Sequence, residues 1–148
     1  MNYLNSMKHI YLVLLLLGTV QVSLACSCII EPLDKEVKKT PTIVVGKVLD
    51  KGPLMVRNTP IDLIYTYHIQ VQYYYKGENI QKVITLNIIR PSSACGMELT
   101  VGETYIIFAG KSDEKGRFKT NHCTHTGSIS RDDKIITRMD KLLVRREP

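Results

Sequence analysis

The chain has 148 residues, of which 44% are hydrophobic, and a formal net charge of +6 at pH 7. It is long enough for one domain with a buried core and too short for several, and a domain of this size gains stability from cross-links. The sequence contains no internal repeat and no low-complexity segment, which excludes repeat architectures. The basic residues form no dense cluster, so their simplest role is to keep the protein soluble.

Residues 1–25 have the pattern of a cleavable signal peptide. Lys8 precedes an apolar run over 10–17, and small residues, Ser23 and Ala25, occupy the two positions that signal peptidase reads. The run is well short of the roughly 20 residues that span a bilayer, which disfavours a membrane anchor. A bacterial lipoprotein signal is a weaker alternative, because Ser23 stands where such signals usually carry an aliphatic residue. We therefore expect a secreted protein.

All four cysteines, Cys26, Cys28, Cys95 and Cys123, follow the predicted cleavage site, so Cys26 would be the first residue of a mature chain over 26–148. An even number of cysteines in an exported domain indicates disulfides. A bond between Cys26 and Cys28 would close a strained ring, which leaves two pairings open, and both fasten the N-terminal segment to two distant places. A zinc site made of all four cysteines is the alternative, but the usual paired Cys-x2-Cys knuckles are missing.

Apolar patterning predicts five strands between two helices. In chain order we expect an extended segment over 26–32, a helix over 33–39, strands over 42–49, 64–75, 83–89, 103–109 and 117–120, and a helix over 131–145. The strand over 64–75 is the clearest, because apolar and polar residues alternate with period two. Gly46 inside the first strand predicts a bulge or bend. Short strands separated by turn signals indicate a closed barrel or a sandwich.

No catalytic motif is present. The sequence contains no His-Glu-x-x-His, no nucleophile elbow and no phosphate-binding loop, and His68, His122 and His125 are assigned to surface or capping roles. The run Tyr73-Tyr74-Tyr75 has the composition of a stacking platform for nucleic acid, but the export signal argues against that partner. We therefore expect a binding protein that is not an enzyme and carries no cofactor of its own.

Several motifs of the exported part share an order and a spacing. They are Cys26-Ser27-Cys28, Ile43-Val44-Val45-Gly46-Lys47-Val48, Tyr75-Lys76-Gly77, Ser93-Ala94-Cys95-Gly96, Tyr105-Ile106-Ile107-Phe108-Ala109-Gly110-Lys111 and the segment around Cys123. Together they resemble the tissue inhibitors of metalloproteinases over most of residues 26–148. The resemblance implies a mainly β fold, an OB-like five-stranded closed β-barrel (the netrin-like module), with a short N-terminal and a C-terminal helix. It also implies the disulfides Cys26–Cys95 and Cys28–Cys123, and a monomer in the extracellular space or matrix.

The resemblance further implies how the protein acts. The α-amine and carbonyl of Cys26 would chelate the catalytic zinc of a matrix metalloproteinase-type enzyme, and Ser27 would point into the specificity pocket beyond the zinc. The remaining protease-binding residues would be Cys28, Ile29, Ile30, Ser92, Ser93 and Ala94. The pKa of an α-amino group is about 7.7–8.0, so a useful fraction of this amine is neutral at physiological pH. Zinc binds the neutral form.

The chain also departs from the family pattern. Longer members have a second domain, and their first domain contains a third disulfide. In this chain Lys38 stands near the position of one cysteine of that third disulfide, and no cysteine follows Cys123. We therefore expect a less tightly cross-linked fold without the functions of the second domain. Two other functions stay open: a non-inhibitory netrin-like module that binds heparan sulfate, extracellular matrix or a receptor, and a secreted OB-type binder of nucleic acid or oligosaccharide.

Overall fold

The computed structural model describes residues 28–53, 55–56, 63–89, 97–113, 115–121 and 123–148. Its elements are α1 (Leu33–Lys39), β1 (Thr42–Lys51), β2 (Met55–Val56), β3 (Leu63–Lys76), β4 (Val83–Ile89), β5 (Thr104–Ala109), β6 (Arg117–Thr120), β7 (Gly127–Ser128) and α2 (Asp133–Leu142). The predicted signal peptide and the predicted contact residues Cys26, Ser27 and 92–94 lie outside the described residues.

All five predicted strands and both helices are confirmed. Two short strands, β2 and β7, were not predicted, and β2 lies between the first two predicted strands. Helix α2 is shorter than the predicted 131–145, because Leu143 already has an extended backbone and the following residues run back to the sheet. Within the described ranges, no helix is long and apolar enough to cross a bilayer.

The strands form one curled sheet. Its order is β6-β4-β3-β1-β5-β7, with β2 paired to β3 off this path. The β4–β6 pair is parallel, and the other strand pairs are antiparallel. The mainly β class is confirmed, but the predicted five-stranded closed barrel is wrong. The described residues form a six-strand curled half-barrel whose path ends at β6 and β7.

Side-chain hydroxyls explain why the barrel stays open between β5 and β6. The Phe108 N–H in β5 donates to Thr126 Oγ1 at 2.9 Å, and the Phe108 carbonyl accepts from Thr120 Oγ1 at 2.6 Å. Threonine side chains thus satisfy backbone groups that a closing ladder would otherwise pair. The two strands still meet where the Gly110 N–H donates to the Lys119 carbonyl at 3.1 Å.

Gly46 allows β1 and β3 to approach closely. A Cβ at this position would lie 2.6 Å from Ile69 Cγ2 and 2.7 Å from the Gln70 carbonyl oxygen. The register between the two strands also shifts between Val45 and Gly46, which confirms the predicted irregularity. Such bulges increase strand twist, which curls the sheet.

The curled sheet is packed on both of its faces. Inside the curl, β1, β3, β4, β5 and β6 contribute Val44, Ile69, Leu86, Ile107 and Phe118 to one apolar cluster. The opposite face of β1 and β5 packs against both helices in a second cluster. That cluster consists of Leu33, Val37, Ile43, Val45, Tyr75, Ile106, Phe108, Ile135 and Met139. Because β1 and β5 are covered on both sides, their sequences are almost continuously apolar rather than alternating.

Candidate functional site

The N-terminal segment 28–32 enters the fold through a disulfide. Cys28 is bonded to Cys123, with the two Cα atoms 5.2 Å apart and 95 positions apart in the chain. This pair is one of the two bonds that the resemblance implied, and the other, Cys26–Cys95, falls outside the described residues. The bond places the N-terminal segment against the loop 121–126, which follows β6.

Beyond the disulfide, the segment projects two isoleucine side chains into solvent. Ile29 is 89% exposed and Ile30 is 53% exposed. Adjacent large apolar side chains at this exposure are typical of a surface that binds another protein. The segment thus presents apolar groups while its Cys28 end is covalently attached to the body of the domain.

Helix α1 holds the other end of the segment. The Pro32 carbonyl accepts hydrogen bonds from the Lys35 and Glu36 N–H groups at 2.9 and 3.1 Å, which begins the helix. Leu33 and Val37 are buried in the second apolar cluster. The segment 28–32 is therefore a short link between a disulfide and a buried helix, and neither end is free to move far.

Glu36 adds a polar connection to the same loop. Its side chain is 11% exposed, and its two carboxylate oxygens accept the His125 N–H at 3.2 and 3.3 Å. The His125 ring nitrogen Nδ1 also bonds to the carboxylate. A carboxylate this deeply buried needs such partners, because water no longer solvates it.

Sequence reasoning missed this pair. The sequence predicts a surface or capping role for His125 and no acidic partner, whereas the structure leaves its side chain 22% exposed, beside Phe108 at a ring separation of 5.9 Å. The two partners are 89 positions apart, so no local pattern connects them. One signal was present: Leu33, Glu36 and Val37 follow the i, i+3, i+4 spacing of a helix face, so an acid on that face predicts a buried partner.

Residues 121 and 123–126 of this loop are held by hydrogen bonds among themselves. Asn121 Oδ1 accepts the Cys123 N–H at 2.9 Å, and the Asn121 carbonyl accepts the Thr124 hydroxyl at 3.0 Å. Thr124 Oγ1 also lies 2.8 Å from Thr126 Oγ1, which in turn accepts the Phe108 N–H of β5. The N-terminal segment is therefore attached to a loop that is itself joined to the sheet.

Among the described residues, no group of three or more His, Cys, Asp or Glu side chains lies close enough together to hold a metal ion. The Glu36 and His125 side chains form a pair that holds two chain segments together. The site thus consists of an exposed apolar segment, Ile29 and Ile30, that is attached to the domain through the Cys28–Cys123 disulfide.

A sequence model of the family described as tissue inhibitor of metalloproteinase matches residues 24–134, which is more than half of the chain. The chain belongs to this family. Tissue inhibitors of metalloproteinases are inhibitors of metalloproteinases and are not enzymes, so the resemblance and the non-enzymatic prediction are confirmed. Membership and the disulfide also point to an extracellular protein with metalloproteinase targets. A comparison with curated proteins gave no significant match.

The match begins just ahead of Cys26 and extends through β7 to the start of α2. It therefore covers both the N-terminal segment 28–32 and the loop to which Cys28 is bonded. Of the eight predicted protease-binding residues, the structure describes Cys28, Ile29 and Ile30 and brings Cys28 onto Cys123. Cys26, Ser27, Ser92, Ser93 and Ala94 lie outside the described residues.

Proposed function

We propose that residues 26–148 form a secreted inhibitory domain that blocks zinc metalloendopeptidases through the mature N-terminus. Cleavage after Ala25 would release the α-amine of Cys26, and that amine and the Cys26 carbonyl would bind the catalytic zinc of the target enzyme. Catalytic zinc sites keep one coordination position open for water or substrate, and a paired amine and carbonyl would occupy it.

The exposed, attached segment 28–32 carries this proposal. Ile29 and Ile30 project into solvent three and four positions after Cys26, while Cys28 is bonded to Cys123. An extended segment with protruding side chains resembles a substrate that lies along a protease cleft. Since both of its ends are held, little conformational entropy is lost when it docks.

Ser27 and the segment 92–94 complete the proposed contact surface. Ser27 would enter the specificity pocket beyond the zinc, and its small side chain would reach only part of the way. A Cys26–Cys95 bond would place Ser92, Ser93 and Ala94 beside the chelating residue. The inhibitor would offer no scissile bond at the correct position, so the enzyme would be blocked without cleaving it.

The test is a titration of the mature protein against the catalytic domain of a matrix metalloproteinase. A matched version carries one additional alanine ahead of Cys26, which blocks chelation and leaves the fold unchanged. We expect tight inhibition by the first protein and none by the second. Equal inhibition by both would overturn chelation, and no inhibition by either across a panel of zinc proteases would overturn the inhibitory function of this chain.

Binding of an extracellular polyanion is a second candidate, favoured by a separate observation. A cavity of about 510 Å³ is lined by Lys76, Lys111 and Arg146, together with Glu78. Three cations around one opening attract sulfated or phosphorylated groups. Heparin affinity chromatography tests it: the protein with the added alanine should elute with the mature protein, and K111A should elute at lower salt. Identical elution of K111A and the mature protein would contradict this site.

A further inference from the structure

The N-terminal segment 28–32 and the helix α1 that follows it are both attached to one loop. Cys28 forms a disulfide with Cys123, and Glu36 is hydrogen-bonded to His125, two positions further along the same loop. A single covalent link still allows a segment to pivot about it. A second link to the same loop removes much of that freedom, because the segment must then move together with the loop.

The rest of α1 does not depend on Glu36. Leu33 and Val37 pack in the second apolar cluster, and Lys76 Nζ donates to the Val37 carbonyl at 2.7 Å near the end of the helix. Loss of the Glu36 carboxylate should therefore leave α1 on the sheet. What changes is the contact between α1 and the loop 121–126.

We propose that Glu36 is a positioning residue for inhibition. Together with His125 it forms a clasp, defined as these two residues, that holds the segment 28–32 in the conformation that enters the protease cleft. This inference rests on the proposed inhibitory function. Glu36 acts through His125 and the loop rather than through contact with the protease. Its effect is to lower the ordering entropy that association with the enzyme would otherwise require.

The chain offers a matched control for the clasp. Asp50 and His68 form a second acid–histidine pair, with a separation of 2.7 Å between Asp50 Oδ1 and His68 Nδ1. Their side chains are 60% and 44% exposed, and they lie on β1 and β3 rather than beside the N-terminal segment. The variant D50N therefore removes a carboxylate from an acid–histidine pair without touching the clasp.

The experiment compares the mature protein with E36A, E36Q and D50N. Association and dissociation rates with a metalloproteinase catalytic domain are measured, with each concentration corrected for the folded fraction. Amide hydrogen exchange over 28–31 and 123–126 is measured in the free proteins. Since related complexes differ in association rate by about 10–1000-fold, we expect E36A to associate about tenfold more slowly. E36Q should recover part of this loss, because its amide oxygen still accepts the His125 N–H, and D50N should match the parent protein.

Exchange should also become faster over both segments in E36A and stay unchanged in D50N. If E36A associates at the parental rate with parental exchange, or if E36A and E36Q only lower the melting temperature equally, the clasp proposal is overturned. If E36A does not fold, the comparison of E36Q with D50N decides the question in the same way. If the parent protein inhibits no enzyme, the proposed function fails, and hydrogen exchange alone then decides whether Glu36 holds the segment.

Discussion

The two ends of the described chain are attached to the domain in different ways. The N-terminal segment 28–32 is attached by side chains: Cys28 forms a disulfide with Cys123, and Glu36, in the helix that follows the segment, is hydrogen-bonded to His125. The C-terminal segment 143–148 is held by its backbone: the Tyr74 N–H donates to the Arg146 carbonyl at 2.9 Å, and the Arg146 N–H donates to the Tyr74 carbonyl at 2.8 Å.

The two kinds of attachment leave different groups exposed. Backbone pairing joins the C-terminal segment to β3 beside residues that β4 does not cover, and so protects an edge of the sheet. Side-chain links at the two ends of the N-terminal segment leave Ile29 and Ile30 projecting. The second kind of attachment leaves these side chains available for the proposed contact with a protease cleft.

Side chains around α2 support the C-terminal segment. Asp140 accepts hydrogen bonds from Arg145 Nε and from the Tyr75 hydroxyl, each at 2.7 Å. The Arg145 guanidinium also lies over the Tyr73 ring, 4.6 Å from its centre. The hydrogen bonds from Arg145 lower the pKa of Asp140 below its usual value, and the hydrogen bond from Tyr75 lowers it to a smaller extent. Burial, and then the bond to Asp140, raises the pKa of Tyr75.

The largest effect on the N-terminal side should follow from loss of the disulfide. Replacing both Cys28 and Cys123 with serine should lower the free energy of unfolding by about 2–5 kcal/mol, because a long loop in the unfolded chain is no longer closed. Urea unfolding measures this loss. Inhibition per folded molecule should fall as well, and an unchanged inhibition constant would show that the segment needs no covalent attachment.

Substitutions of buried residues in the two helices sharpen the comparison between the N-terminal and C-terminal sides of the domain. L33A in α1 and M139A in α2 should each lower the free energy of unfolding by about 2–5 kcal/mol, since both side chains are almost fully buried. Thermal or urea unfolding checks both values. L33A should also weaken inhibition, whereas M139A should leave inhibition by the folded protein unchanged. Equal weakening by both variants would mean that the two ends are coupled.

A smaller effect is expected at Tyr75. Y75F removes the hydroxyl that donates to Asp140 and should lower the free energy of unfolding by about 1–2 kcal/mol. Urea unfolding of Y75F beside the parent protein measures it. The inhibition constant is the control: if it rises with Y75F, the C-terminal side of the domain contributes to inhibition and the division of roles is wrong.

Asp140 should also make stability depend on pH. Because its pKa is lower in the folded protein than in the unfolded chain, the folded state binds this proton less tightly. Its stabilising contribution is therefore present above the ordinary aspartate pKa of about 4 and is lost as the pH falls through the lower folded value. As the pH is lowered from about 7 to about 2, the melting temperature should decrease less steeply for D140N than for the parent protein. Parallel curves would contradict this role.

The smallest effect should come from the ion pair between Glu31 and Lys39, which lies beside the N-terminal segment. Lys39 Nζ lies 2.5 Å from Glu31 Oε1, but the Glu31 and Lys39 side chains are 40% and 69% exposed, so water screens the attraction. E31Q should change the free energy of unfolding by less than about 1 kcal/mol. Inhibition should be unchanged too, and a marked loss in E31Q would show that the exposed pair helps to orient Ile30.

The sequence alone determined the elements that local patterns encode. Alternation over 64–75 predicted β3, apolar spacing predicted α2, and Gly46 predicted an irregular strand pair. The motifs around the cysteines were sufficient to identify the family. These features depend on neighbouring residues or on a few distinctive spacings, so they can be recognised without coordinates.

Only the tertiary structure decided the features that join distant residues. The sheet stays open because the side chains of Thr120 and Thr126 bond to the backbone of Phe108, which strand patterns do not encode. The clasp joins Glu36 to His125 across 89 positions, and no periodicity relates them. Since burial and hydrogen-bond partners arise when separate segments pack together, the means by which this inhibitor holds its N-terminal segment became visible only in the folded chain.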